Sequence, residues 1–453
     1  MSAESGAGPW PRHIQPMATM IILRRTPASP LTTLLALVLL AACSDTPAPG
    51  DAGGAWEFDE EHLGDTTVVR TLSGSVWGDS MRLEPDLVLG ELDGADPYVF
   101  GQIGAVDRDA RGRLYVADRQ AAEVRVFSPD GEFIRVIGAR GEGPGEYSEP
   151  DDLRITPQGE LVVRDQRGAR FLVYSLDGEH LRSWRLSGTF FTSEGFYLTD
   201  HGHVLNPDLN FSLPMDAPDR TIHVAFDVES GTVVDSLPRP QLEEERAVVE
   251  LTQESEGGVS RMMSAVPFHP SGIVGRTPSG GVLRGLGSRY ALTLEEPGGT
   301  VLRIERAAPP EPVQPAERRV ARSRIEDNFR DMDASWQWNG PPIPETKPPF
   351  RWAGFGPDGA LWVLRHTRAE ERENPDYDPD GPSARRQPTE WFEPPVMDVF
   401  DAEGRYLGPI RMPDGFRTRG WMVLDPDEPV LVVSHELGYD QVVRYRRVPA
   451  TPE

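Results

Sequence analysis

From about residue 109 onward, apolar and polar positions alternate in short runs bounded by tight-turn sequences, a pattern of half-buried strands rather than helices. The first clear unit, residues 109–138, reads DARGRLYVADRQAAEVRVFSPDGEFIRVIG; residues 156–186 repeat its order as TPQGELVVRDQRGARFLVYSLDGEHLRSWRL. Alternating Leu114, Val116, Val124, Val126, Phe133 and Val136 mark three strands in the first unit. Pro-Asp-Gly and Leu-Asp-Gly mark the hairpins. Gly112 and Gly159 are 47 residues apart, as are Gly131 and Gly178. Each unit therefore reads as one small antiparallel sheet in an internal repeat.

Weaker copies follow at TDHGHVL with HVAFDVESGTVVDSL, TPSGGVLRGL with YALTLEEPGGTVLRIER, GPDGALWVLR with VMDVFDAEGRYLGPIRM, and DPDEPVLVVS with QVVRYRRV, which makes six. The sixth copy stops at Val448 after its third strand, while Leu87-Val88-Leu89-Gly90 near the front matches the fourth-strand ending Arg135-Val136-Ile137-Gly138. A ring accounts for both facts, because the early strand would pair with the late three and hide two sheet edges. The expected fold is all-β: a six-bladed β-propeller closed by an N-terminal strand that completes the last blade, with one helical insertion.

The runs YVADR (115–119), EVRVFSPDGEFIRVIG (123–138) and GEGPGEY (141–147) resemble NHL-repeat propellers, and more narrowly the bacterial six-bladed β-propeller lipoproteins. The resemblance is good over residues 86–186, fades through 187–306 and returns near 356–363. It implies a fold and not a chemistry. Asp118, Asp165 and Asp208 each fall six residues after the turn glycine of their blade, and an acid there is expected to cap backbone amides. GEGPGEY lacks the Lys-Ser/Thr ending of a phosphate loop and reads as an interblade loop.

Ahead of the repeats, Arg24 and Arg25 precede an apolar run from Leu34 to Ala42 that is too short to span a bilayer, the layout of a signal peptide. Leu40-Ala41-Ala42-Cys43 resembles the lipobox of bacterial lipoproteins, which implies lipidation of Cys43 and cleavage before it. Cys43 is the only cysteine, so disulfides and thiolate zinc sites have no place in the folded body. The organisation expected is a signal peptide over residues 1–43, a flexible tether over 44–65, a propeller over 66–448 with insertions at 238–266, 307–350 and 366–390, and a tail over 449–453. The expected location is the bacterial cell envelope, periplasmic or outer-membrane, held by a lipid anchor.

Charge removes one class of partner. The 453-residue chain carries 46 basic and 72 acidic residues, a net −26, and its mature part 43 and 71, a net −28. Such a surface disfavours nucleic acid held through phosphates. Lys347 is the only lysine among the 46 bases.

In a propeller with radial strands a to d, the b–c loops and the d–a crossings emerge on one face and the a–b and c–d turns on the other. The turns around Gly112, Gly131, Gly159, Gly178, Gly359 and Gly404 are short, whereas residues 209–220, 238–266, 307–350 and 366–390 all extend the first face. Long loops on a rigid scaffold carry binding, so the decorated face is the expected functional surface for a protein, peptide or glycan. Within 307–350 a helix is expected after Pro315, with Val320, Ile325, Phe329 and Met332 on one stripe packing on the blades. Trp336, Trp338, Trp352 and Trp391 are candidates for an aromatic platform. Asp151, Glu194, His269, Arg351, Arg417 and Arg419 precede the inner strands and should line the channel mouth, with the arginines suited to bidentate recognition.

Asp376, Asp378 and Asp380 open a D-x-D-x-D-G calcium-loop pattern, but its twelfth position is Gln387 instead of a bidentate Glu. Calcium is the one cofactor the pattern admits. The histidines are scattered over different blades, and no G-x-S-x-G motif is present. The sequence therefore favours a binding or interaction scaffold over an enzyme; the alternative is a metal-assisted, lactonase-like hydrolase or lyase at the channel mouth.

Overall fold

The computed structural model describes residues 56–78, 80–186, 194–209, 212–213, 221–241, 247–255, 258–374, 377–381, 387–416 and 422–450. They belong to a single unit, residues 51–453. Cys43 and the rest of the leader lie outside the described residues. Blades one to three are four-stranded antiparallel sheets over residues 103–137, 150–185 and 197–238. The four antiparallel strands of blades four and five, over 273–306 and 350–411, belong to larger sheets, blade five running on into blade six through a short parallel pairing of Tyr406–Arg411 with Met81–Leu89. Blade six combines an inner bridge from Val423 to Val430, the strands Val430–Ser434 and Asp440–Pro449, and the N-terminal strand Met81–Leu89. Leu89 faces Val442, Val88 faces Val443 and Leu87 faces Arg444. The chain is a six-bladed β-propeller, closed by the early strand as the repeat arithmetic requires.

Every junction in the ring has a partner pair. The Tyr115 hydroxyl donates to the Leu176 carbonyl between blades one and two (3.1 Å), and Arg164 donates to Asn206 between two and three (3.1 Å). Arg276 donates to His223 between four and three (3.1 Å), and the Tyr290 hydroxyl donates to Asp398 between four and five (2.9 Å). Blades five and six share an apolar cluster containing Trp362, Met397, Ile410, Leu431 and Val443. Arg108 of blade one binds Asp425 of blade six at 2.7 Å.

Burial follows radial position. The second strand of blade one, Leu114–Asp118, is buried throughout, whereas its outer strand Phe133–Ile137 is exposed save its last residue. The a–b and c–d turns close on glycines with φ near +80°, such as Gly112 at +79° and Gly131 at +84°, where a Cβ would be strained. Asp118 is fully buried and accepts from the amides of Gly101, Gln102, Gln120 and Ala121 at 2.9–3.2 Å. Asp165 repeats this with Ser148, Glu149 and Gly168 at 2.7–3.1 Å. These acids are backbone caps, as their position beside a turn suggests.

Two features depart from expectation. Strand structure begins at Glu57, inside the stretch read as a tether to residue 65: Glu57–Leu63 pairs with Thr66–Ser73, which in turn runs parallel to Val301–Arg306 and widens blade four to six strands. The helix forms at Pro315–Arg330 with proline in its first turn, but its stripe does not pack on the blades. Phe329, with Ala321 and Ile325, joins Val249, Leu251, Trp336 and Ile343, so helix and the hairpin Val248–Ser255/Gly258–Ala265 share a small core of their own. Met332 remains exposed. The two long crossings cover each other because neither buries its apolar side alone.

Candidate functional site

A cavity of about 1910 Å³ runs through the ring. Its walls extend from a–b turn residues such as Ala110, Pro157 and Pro278 to crossing residues such as Gln241, Phe268 and Pro348. Of the expected mouth residues, Asp151, Glu194, His269 and Arg351 line it, and so does Trp352. Arg417, Arg419 and Asp376 lie outside the described residues.

On the side of blades two to four the wall is already neutralised. Asp151 holds Arg164 at 2.6 Å, and Arg164 also donates to Asn206 and to the Glu194 carbonyl. Asp152 pairs with Arg154, whose guanidinium lies 4.8 Å from the Phe196 ring centroid and donates to the Phe196 carbonyl. Glu194 takes contacts from His223 at 3.2 Å, Arg239 at 3.0 Å and the Tyr197 hydroxyl at 3.1 Å. Burial would raise the Glu194 pKa, but His223 and Arg239 outweigh it and hold the carboxylate below its usual range. Asp107, which accepts from the Ile155 and Arg108 amides, is instead pushed up to about 6 by burial. Opposite charges here mostly satisfy one another, so this wall is rigid rather than hungry for a ligand.

The side of blades four and five differs. Arg351 is exposed on the first residues of its inner strand and, among the described residues, makes no hydrogen bond or ion pair. His366, which sequence reasoning passed over, lines the cavity with its Nδ1 held by both Glu393 oxygens at 2.9 and 3.1 Å. Glu393 is anchored by the Thr367 amide at 3.1 Å and by the fully buried Lys347 ammonium at 3.1 Å. Lys347 also binds Glu317 of the helix at 2.7 Å and the Thr367 carbonyl at 3.0 Å. Burial tends to raise the Glu393 pKa, yet His366, Lys347 and the Thr367 amide overcome it and hold it at about 2. The signal that could have found this cluster was the single lysine in an arginine-rich chain: three acceptors converge on a compact, rotatable ammonium, which a planar guanidinium does not match.

The aromatic platform does not assemble. Trp336 is 7% exposed, packed on Phe329 with its indole N–H donating to the Glu250 carbonyl at 2.7 Å. Trp338 stacks under Arg322 and donates to the Gly340 and Pro341 carbonyls. Trp391 sits on the hairpin Glu370–Glu373/Thr389–Phe392, which reaches just past the 366–390 insertion. Only Trp352 meets the cavity, because it alone lies on an inner strand. Asp378 accepts from the Asp380 amide at 3.0 Å in a turn, and among the described residues no three His, Cys, Asp or Glu side chains converge as a metal site.

A family model described as a 6-bladed beta-propeller, DUF5128, matches residues 91–202, about a quarter of the chain. No curated protein matches it. Among solved structures, a protein from Bacteroides fragilis described as exported shares 11% identity, with 82% of this chain and 99% of that one covered and a TM-score of 0.42. A DUF4221 family member from Bacteroides vulgatus shares 9%, with 82% and 99% covered and a TM-score of 0.43. Virginiamycin B lyase from Staphylococcus aureus shares 10%, with 81% and 99% covered and a TM-score of 0.31.

Proposed function

We propose that this NHL-like propeller is a lipid-anchored component of the bacterial cell envelope that works as a binding scaffold through its decorated face, periplasmic or at the outer membrane. The observation that carries the binding role is the cavity of about 1910 Å³, whose decorated mouth brings together an unpaired Arg351, the Trp352 indole and the oriented His366. A large concave site with a few convergent polar groups is where small ligands and peptide ends bind. The lipobox-like Leu40-Ala41-Ala42-Cys43 supports the anchor, and membrane attachment through it is the first expected partnership. In cells, Cys43→Ser moves the protein from the membrane fraction to the soluble one. Native mass spectrometry of full-length protein in detergent, after incubation with envelope extract, yields a retained ligand that Arg351→Glu loses; equal retention by both proteins refutes the mouth as the binding surface.

The second reading, a hydrolase or lyase at the channel mouth, draws on His366, whose Nδ1 is fixed by Glu393 and whose Nε2 faces no described partner. An imidazole so held is suited to move a proton. Equilibrating the protein with Ca²⁺ and Zn²⁺ and measuring bound metal separates the metal-assisted form of this reading: a stoichiometric ion in the channel favours the enzyme, and none favours the scaffold.

A further inference from the structure

The geometry points to a recognition subsite at the blade four and five side of the mouth for an apolar-bodied carboxylate that also carries a hydroxyl or amine. The inference deepens the binding reading above and rests on it. Four independent features converge there. Arg351, with no described partner, borders both the main cavity and an adjoining one of about 270 Å³ that reaches Glu393 and Phe392. A free guanidinium at a cavity rim binds a carboxylate in bidentate fashion. The strongly acidic chain repels anions at long range, so selection of a carboxylate has to come from such local geometry.

The second polar contact is His366. Its Nδ1 is committed to a carboxylate that is itself locked by Lys347 and Thr367, and in the neutral imidazole with Nδ1–H donating to Glu393, Nε2 is the acceptor for a ligand O–H or N–H. Glu393 and Lys347 are positioning residues here. The third feature is apolar. The indole of Trp352 lies along its strand over Gly354, where any Cβ would collide with the ring, so a bare glycine keeps the aromatic face laid against the channel wall. The fourth is Phe268, a non-glycine residue held at φ +57° with its ring against Lys347 (5.2 Å) and His366 (6.1 Å). Left-handed backbone at a bulky residue persists only where surroundings over-determine it, and such positions cluster at ligand sites. All four residues border the same cavity, and on this proposal they supply one cationic contact, one accepting polar contact and apolar ring faces to a single ligand.

Mandelate supplies phenyl, hydroxyl and carboxylate; phenylacetate lacks the hydroxyl, and 1-phenyl-1,2-ethanediol lacks the carboxylate. Full-length protein in detergent is titrated with each by calorimetry and by Trp fluorescence. Mandelate binds at least tenfold more tightly than the diol and severalfold more tightly than phenylacetate. Arg351→Ala weakens mandelate and phenylacetate at least tenfold and leaves the diol within twofold. His366→Ala brings mandelate down to the level of phenylacetate, and Glu393→Gln weakens it severalfold without changing phenylacetate. Circular dichroism on every variant, the unchanged diol affinity of Arg351→Ala and the unchanged phenylacetate affinity of His366→Ala and Glu393→Gln guard against misfolding. Equal binding of mandelate and the diol, or mandelate binding unmoved by Arg351→Ala, overturns the subsite. If the subsite fails while envelope extract still yields an Arg351→Glu-sensitive ligand, the scaffold reading stands alone; if neither is seen, both fall.

Discussion

Blades one and two are stabilised in a different way from the third of the ring formed by blades four and five. In the former, each unit carries its own staple: Asp118 and Asp165 cap the amides of the crossing that precedes their own blade, and the same solution recurs 47 residues later. In the latter, the corresponding positions are Leu286 and Arg365, and long-range single contacts take over. Lys347 ties a helix, a crossing and a b–c loop together, and Asp398 gathers the Tyr290 and Tyr406 hydroxyls and Arg306. Repetition makes a region legible and plain; individual solutions make it irregular, and the unpaired groups at the mouth occur there.

The largest expected effect tests the irregular side. Lys347→Met leaves Glu317 and Glu393 buried without their counter-charge, and loss of one partner of a buried pair costs about 3–5 kcal/mol. Urea unfolding measures the loss, and hydrogen exchange places it in Pro315–Arg330 and residues 366–393 while blades one and two keep their protection. Asp118→Ala is the complementary break. Four amides lose their acceptor, at a cost of about 3 kcal/mol given about 1–3 for an unsatisfied buried group, and exchange rises at residues 99–122 but not in the insertions. Uniform loosening in both variants would erase the contrast.

Asp107→Asn gives the smallest effect and reads the neutralised wall of the channel. Because its pKa is raised to about 6 in the fold, the protonated form is the favoured one. Its stabilising contribution is therefore full below the ordinary value of 3.8 and lost as pH rises through about 6. Wild type loses about 1.4 kcal/mol between pH 5 and 7.5 on this account, since one pH unit separates 5 from the folded pKa at roughly 1.4 kcal/mol per unit, and the Asn variant does not. Glu393, at about 2, and Glu194, held low, titrate below that window and do not mask it. Unfolding curves at the two pH values decide the matter.

The fold was readable because its information is local and repeated. Alternation, turn glycines and the 47-residue spacing identify blades one and two, and a missing strand at one end with a spare one at the other identifies closure. The mouth was half readable: a residue just ahead of an inner strand has to border the channel, which located Asp151, Glu194, His269 and Arg351. Whether each is free or paired was not readable. Asp151 meets Arg164 across one hairpin, Glu194 meets His223 from 29 positions away, and His366 finds Glu393 only after a whole insertion has folded back. The tryptophans show the same limit, since Trp336 and Trp352 look alike in sequence and only packing buries one in the insertion core and lays the other along the channel. Local periodicity dictates strands and their order around the ring; the burial and pairing of single polar groups depend on which distant residues arrive beside them, and that was decided by the tertiary structure.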